Sequence, residues 1–280
     1  MLNFKTLFFS LLFLTPLANA TIYFPKGVTA KSAQSAHVQI AWDIHNVLAI
    51  KDGKAKAGAI IGNIFPILWS KVTADAAWDE INSIPKSKDL SGEAYMYIFL
   101  KHGNKKLAKM ADKAANAYKP RPGMQQLVTD INYAGITQRL ASNIGPQFVT
   151  NLDVKFKLQH KCTLFDFIKP GKVVDYSIYG PEHLRKKSLG SEVSPIAKPE
   201  LGFFQDFNKT YNPNNEYIII FIDDKIENIQ AAVAAGWIGI HLNVNQKDPA
   251  KAIRSELASL GIFAKKPTLS NPLNNGIKYV

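Results

Sequence analysis

Residues 217–224, Tyr-Ile-Ile-Ile-Phe-Ile-Asp-Asp, constrain the fold more than any other stretch of the chain. Six consecutive apolar residues, mostly β-branched or aromatic, predict a strand buried on both faces. The two carboxylates then sit where that strand leaves its sheet. Residues 228–236, Asn-Ile-Gln-Ala-Ala-Val-Ala-Ala-Gly, read as a helix stopped by glycine. Residues 238–242, Ile-Gly-Ile-His-Leu, read as the next strand, so the unit is β-α-β and its strands pair in parallel. Adjacent ionised carboxylates repel each other, and the usual relief is a divalent cation with oxygen ligands. The alternative is a solvated loop that carries two acids.

A chain of 280 residues is long enough for a sizeable core, and 46% hydrophobic with 20% charged residues fits a soluble globular protein. The formal charge of +12 comes from lysines scattered over several segments. With no zinc knuckle, RNP-type run or helix-turn-helix signature, nucleic acid is not an expected partner. The charge serves solubility and draws anionic ligands towards the surface.

The amino terminus reads as a leader. Lys5 supplies a positive end, residues 7–14 form an apolar run broken only by Ser10, and Ala18-Asn-Ala20 gives a small-x-small cleavage pattern. Residues 1–20 are therefore expected to be a signal peptide, with a mature chain starting near Thr21 in a periplasmic or secreted, bacterial setting. The apolar run is too short to span a bilayer comfortably, so no stable membrane span is expected after cleavage; retention as an uncleaved anchor is the alternative. Cys162, the only cysteine, excludes an internal disulfide and reads as a small buried apolar residue.

Residues 36–42 predict the first strand, ending at Asp43-Ile-His45-Asn46. The texture then changes: 57–84 (interrupted at Pro66), 91–102 and 105–118 carry Ala, Leu, Lys and apolar residues at helical spacing. Trp69, Trp78, Tyr95, Tyr97 and Phe99 within them read as packing residues. Turn chemistry at Pro120-Arg-Pro-Gly123 marks the exit. Further on, 124–134 predicts a helix capped by Gly135, 136–141 a strand, 146–160 a helix opened by proline, 172–179 a strand and 200–207 a short helix. The division expected is a core over 21–50 and 120–262, an all-helical cap over 51–119 and an extended tail over 263–280.

Asp43, Ser142 and the Asp223/Asp224 pair each fall just past the carboxyl end of a predicted strand. In open α/β sheets, ligands bind in the crevice outside those ends. Lys198, ahead of a predicted helix, adds a cation. Carboxylates to hold a metal, with a hydroxyl and a lysine to hold an anion, describe a site for phosphate chemistry.

These residues resemble the four ordered motifs of the haloacid dehalogenase-like (HAD) hydrolase superfamily, most of whose members are phosphatases. Ile40-Ala-Trp-Asp43-Ile-His45-Asn-Val-Leu48 is similar to the first motif, Leu140-Ala-Ser142-Asn143 to the second, Lys198-Pro199 to the third and Phe221-Ile-Asp223-Asp224 to the fourth. The resemblance covers roughly residues 36–245, and the helical insertion is similar to the cap of the phosphoglucomutase-like and dehalogenase-like branch. It implies an α/β fold: a Rossmann-like three-layer core on a parallel sheet, with the all-helical cap inserted after the first motif. It implies Asp43 as nucleophile, forming an aspartyl phosphate. It implies that the Ser142 hydroxyl, the Asn143 backbone N–H and the Lys198 ammonium hold the phosphoryl oxygens. Mg²⁺ would be bound by Asp43, the His45 carbonyl and Asp224, with Asp223 binding directly or through water.

One position departs from the pattern. The family's phosphatases carry a second Asp two residues after the nucleophile, as general acid and then base; here it is His45. Imidazole serves as acid and base near neutrality, but a nearby Mg²⁺ disfavours its charged form. The expectation is a site that protonates alkoxides poorly and favours aryl or acyl phosphates. The remaining histidines (His37, His102, His160, His183, His241) show no ligand spacing and read as core or surface residues. Asn228 either supports the metal shell or begins the following helix. The functional readings are an exported Mg²⁺-dependent phosphatase for a small phosphate ester, or a catalytically impaired relative binding an anionic partner through its basic cap. A hydrolytic dehalogenase is a third, disfavoured by the paired metal carboxylates.

Overall fold

A computed structural model describes residues 20–52, 75–84, 92–115, 117–174, 192–194 and 196–263. The expectations for the leader up to residue 19, the Pro66 break, Trp69, His183, residues 175–179 and the tail from 264 lie outside those residues.

The strands, in chain order, are β1 (Ala20–Tyr23), β2 (His37–Trp42), β3 (Ala49–Lys51), β4 (Tyr118–Pro120), β5 (Thr137–Ser142), β6 (Lys169–Val174), β7 (Glu192–Ser194), β8 (Tyr217–Asp223) and β9 (Ile238–Leu242). Seven of them form one sheet in the order β1-β9-β8-β2-β5-β6-β7. All neighbours in it pair in parallel except β1, which runs antiparallel to β9 at the edge. This corrects two expectations: residues 36–42 are not the first strand, and the parallel sheet carries one antiparallel edge. Four residues without a period-2 run behind them give no strand signal of their own; pairing with the distant β9 supplies it.

The apolar run of β8 is buried on both faces, and its alternation sorts the core. Ile220 and Ile222 join Ile40, Trp42, Ile238 and Ile240 in one cluster. Ile219 and Phe221 join Ala41 and Ala141 in the other. The first cluster is covered by α5 (Met124–Tyr133), α6 (Pro146–His160) and α9 (Pro249–Ser259), through Leu127, Val128, Leu152, Phe156, Ile253 and Leu257. The second is covered by α7 (Leu201–Tyr211) and α8 (Ile226–Ala234), where Phe203, Phe204 and Phe207 pack with Ile229 and Trp237. Each of these fully buried side chains contributes about 1.5–3 kcal/mol relative to exposure. Helices on both faces make the three-layer α/β core that the sequence predicts. Two helices carry no sequence expectation: α9, and the short α1 (Ala30–Ser35), whose Thr29 and Ser32 form a reciprocal capping box.

Between β3 and β4 come α2 (Asp75–Ser83), α3 (Gly92–Lys101) and α4 (Lys105–Ala115), sharing the small cluster of Ala77, Ile81, Ile98, Phe99, Leu107 and Ala108. Trp78, Tyr95 and Phe99 pack there, and Tyr97 joins the core cluster, as packing residues. The insertion is not all-helical at its ends. Lys51, Tyr118 and Lys119 belong to a two-stranded antiparallel ribbon, with Ala49 opposite Pro120 and Lys51 opposite Tyr118. Helical spacing from 105 onward hides this, because the pairing joins residues far apart along the chain. Cys162 is buried. Among the described residues no helix is long and apolar enough to cross a membrane.

Candidate active site

The middle strand β2 lies between β8 and β5, so the carboxyl ends of these three strands are neighbours. Asp43 follows β2 directly, its N–H donating to the Ile222 carbonyl at 3.0 Å. Ser142 closes β5 and Asp223 closes β8. Parallel pairing in this register therefore brings together residues far apart in the chain, such as Asp43 and Ser142, 99 positions from each other.

Asp43, Ser142, Lys198 and Asp223 are all buried. One oxygen, Asp43 Oδ1, accepts from both the Ser142 hydroxyl at 2.7 Å and the Lys198 ammonium at 2.8 Å. Lys198 also donates to Asp223 Oδ2 at 2.7 Å, and its Nζ lies 4.8 Å from the centre of the Phe221 ring. A clamp between two loops sets its position: the Asn143 side-chain amide donates to the Lys198 carbonyl, and the Lys198 N–H donates to Asn143 Oδ1, both at 2.8 Å.

Asp223 is held from several sides. Its Oδ1 accepts the Lys225 N–H at 2.8 Å, and the Asn228 amide reaches both of its oxygens at 3.1 and 3.0 Å. With Lys198 on Oδ2, Asp223 accepts from three groups, Lys198, Lys225 and Asn228. Asn228 therefore orients Asp223 rather than capping α8, whose first flanking residue is Lys225. Asp224 is bound by the Asn46 amide at 2.8 Å through Oδ2.

The electrostatics follow from burial and crowding. Burial pushes the Asp223 carboxyl up to about 7, against the pull of Lys198. Burial and the Asp43 charge raise Asp224, against the Asn46 hydrogen bond. Burial opposes charge on Lys198, but Asp223 and Asp43 outweigh it and hold the ammonium above its ordinary value. Ligand oxygens of Asp43, Asp223 and Asp224 all lie within 4.8 Å of one another. Three hard oxygen donors, two of them carboxyls raised by burial and then by the Asp43 charge, form a set that fits a hard divalent cation.

The His45 imidazole stacks on Tyr118 at 4.5 Å and 15°, and meets Phe148 edge-on at 5.8 Å and 82°. It thus packs against both the β3–β4 ribbon, which forms the stalk of the insertion, and the first turn of α6. Asp43, Ser142, Asn143, Lys198, Asp223 and Asp224 meet at one end of the sheet, whereas the His45 ring packs against Tyr118 and Phe148. Two residues beside this site have no assigned role in the sequence reading, Asn46 and Arg121. Arg121, inside the Pro-Arg-Pro-Gly turn, is buried, donates to the Asn46 carbonyl through Nη1 and reaches the Val244 carbonyl at 3.0 Å through Nη2. Only its arginine identity inside a turn could have drawn attention to it.

No family model matches the chain, and no curated protein does. Among solved structures, the chain is similar to a HAD family enzyme of Bacteroides thetaiotaomicron (16% identity over 76% of this chain and 97% of that one, TM-score 0.49). It is also similar to a HAD-superfamily hydrolase from Ehrlichia chaffeensis (18%, 79% and 96%, 0.41). A third is the L-2-haloacid dehalogenase from Xanthobacter autotrophicus with chloropropionic acid covalently bound (15%, 80% and 83%, 0.41). The mostly parallel sheet, the insertion after its middle strand and the motif segments at one end of it give the chain a Rossmann-like α/β fold.

Proposed function

We propose that the protein is an exported, Mg²⁺-dependent phosphatase that acts on a small phosphate ester through an aspartyl phosphate on Asp43. The observation that supports this most is a single buried oxygen, Asp43 Oδ1, gripped by a hydroxyl and an ammonium beside two further carboxylates. Ser142 and Lys198 meet at one point, and both are donors suited to an incoming oxyanion. Export rests on the leader pattern of residues 1–20 alone.

In the reaction, the carboxylate oxygen of Asp43 attacks phosphorus in line, and the bond from phosphorus to the leaving oxygen breaks. The leaving group departs with the electron pair. Water then attacks phosphorus, breaks the bond to Asp43, releases inorganic phosphate and restores the carboxylate. The Ser142 hydroxyl, the Asn143 N–H and Lys198 hold the phosphoryl oxygens. Asp43, Asp224 and the His45 carbonyl would hold Mg²⁺, with Asp223, whose oxygens already accept from Lys198, Lys225 and Asn228, acting through water. When bound, the cation neutralises charge so that carboxylate and phosphate can approach. His45 handles the protons: it accepts one from the attacking water and is a poor donor to an alkoxide. Substrates whose leaving groups need no protonation, aryl and acyl phosphates, are therefore favoured.

The test is phosphate release from an aryl phosphate with Mg²⁺ and with EDTA, for the wild type and Asp43→Asn. Magnesium-dependent release that Asp43→Asn abolishes, with folding intact by circular dichroism, is expected. Halide release from 2-haloacids without Mg²⁺, and no phosphate release, would make it a dehalogenase instead. Turnover by neither route would leave a binding protein.

A further inference from the structure

Asn46 follows His45 with φ 58°, in the left-handed region that glycine adopts freely and other residues rarely do. Asparagine tolerates it better than most, and here the side chain has a use. Its amide donates to Asp224 Oδ2 at 2.8 Å, while its own N–H donates to the Ala49 carbonyl at 2.7 Å. Its carbonyl accepts from Arg121. Arg121 follows β4, so it stands at the foot of the stalk that carries the helical insertion. Besides Asn46 it bonds Val244, beyond β9, at 3.0 Å, and its N–H donates to the Leu48 carbonyl at 2.9 Å. Arg121 is 6% exposed, so few of its hydrogen bonds can be exchanged for water.

We propose that Asn46 and Arg121 are positioning residues that fix Asp224 for cation binding: the Asn46 amide occupies Oδ2 and turns Oδ1 to the ion, and Arg121 locks Asn46. This rests on the reading of Asp224 as a metal ligand. The physical argument is one of preorganisation. A carboxylate free to rotate must lose that freedom when it binds a cation, and a partner already holding one oxygen removes that cost in advance. An amide holds Asp224 without adding a further positive charge to those of Lys198, Lys225 and Arg121, which already act on it. The planar guanidinium suits Arg121 to its place, since it spans two carbonyls on different loops, which a lysine ammonium cannot do with the same geometry.

The measurement is Mg²⁺ binding by calorimetry to the full chain, freed of phosphate, with the melting temperature in EDTA recorded alongside. Asn46→Gly suits the positive φ and removes only the amide; Arg121→Lys keeps the charge and loses the fork. Loss of such outer partners typically weakens metal affinity about 10–100-fold, and a fall of that size is expected for Asn46→Gly with its EDTA melting temperature unchanged. Arg121→Lys is expected to weaken Mg²⁺ binding as well, and to raise the Mg²⁺ concentration for half-maximal turnover while preserving the rate at saturation. Wild-type binding that Asn46→Gly leaves intact overturns the relay and spares the metal reading. An Arg121→Lys variant that melts earlier but binds Mg²⁺ normally makes Arg121 a brace only, and overturns its part. A wild type that takes up no Mg²⁺ overturns the metal reading, and the relay with it.

Discussion

Lys198 stands between two buried carboxylates, 2.8 Å from Asp43 and 2.7 Å from Asp223. Removing it leaves Asp43 and Asp223 buried without their counterion, which is far costlier than replacing a whole ion pair by apolar groups. Lys198→Met is expected to lose about 3–5 kcal/mol of stability in EDTA, as for other broken buried pairs. Added Mg²⁺ should restore part of it by supplying the missing positive charge. Urea unfolding with and without the cation checks this, and equal stability of wild type and variant in EDTA would refute it. This residue was legible in the sequence because of its place before a predicted helix, in order with three other motifs. Asn228 was only half legible: its distance from Asp223 fits both a helix start and a second layer around the carboxylate. Its two hydrogen bonds to Asp223 decide that question, and no local pattern encodes them.

At the level of elements, the contact between α3 and α6 has a steric signature. A Cβ on Gly145, which flanks the start of α6, would lie 1.8 Å from Glu93 Oε2 and 2.5 Å from its Cδ. Glu93 opens α3 and is buried, and the next residues along that face, Ala94 and Tyr97, pack in the core cluster with Ala41, Ala141 and Val174. The first turn of α3 thus rests on the core close to the loop that follows Ser142. The Gly145 backbone, at φ −71° and ψ 156°, suits alanine, so any effect of Gly145→Ala is a matter of space and not of strain. Glu93 must swing its carboxylate aside in that variant, and because it is buried a loss of about 1–3 kcal/mol is expected, as for overpacking. Adding Glu93→Ala should recover much of it, and the pair should show a coupling of about 0.5–3 kcal/mol in a double-mutant cycle. Independent, additive losses would mean that the two residues do not press on each other. The sequence disclosed α3 and α6 through their spacing and the proline at the start of α6, but not their contact. The β3–β4 ribbon was hidden for the same reason: Ala49 and Pro120 pair across an insertion, and three-residue strands carry no periodicity of their own.

For the molecule as a whole, proton and cation compete for one site, and the sign of the pH dependence follows. Burial holds the Asp223 carboxyl at about 7 in the native protein, whereas in the unfolded chain it titrates at the ordinary 3.8. Between these values the native state keeps a proton that the unfolded chain has released, so metal-free stability falls as pH rises across the window and levels off above it. Asp224 is raised in the same direction and adds to the slope. Cation uptake favours the deprotonated carboxylates, so stabilisation by Mg²⁺ has the opposite trend and grows as pH climbs through about 7. Melting curves in EDTA and in saturating Mg²⁺, taken at steps from about pH 5 to about pH 8, should diverge with rising pH. Asp223→Asn cannot titrate and should flatten the EDTA curve. Its Mg²⁺ curve should keep the rise that Asp224 contributes, which separates a ligand from the carboxylate behind it. Parallel wild-type curves across that range would mean that no cation replaces a proton at the end of this sheet.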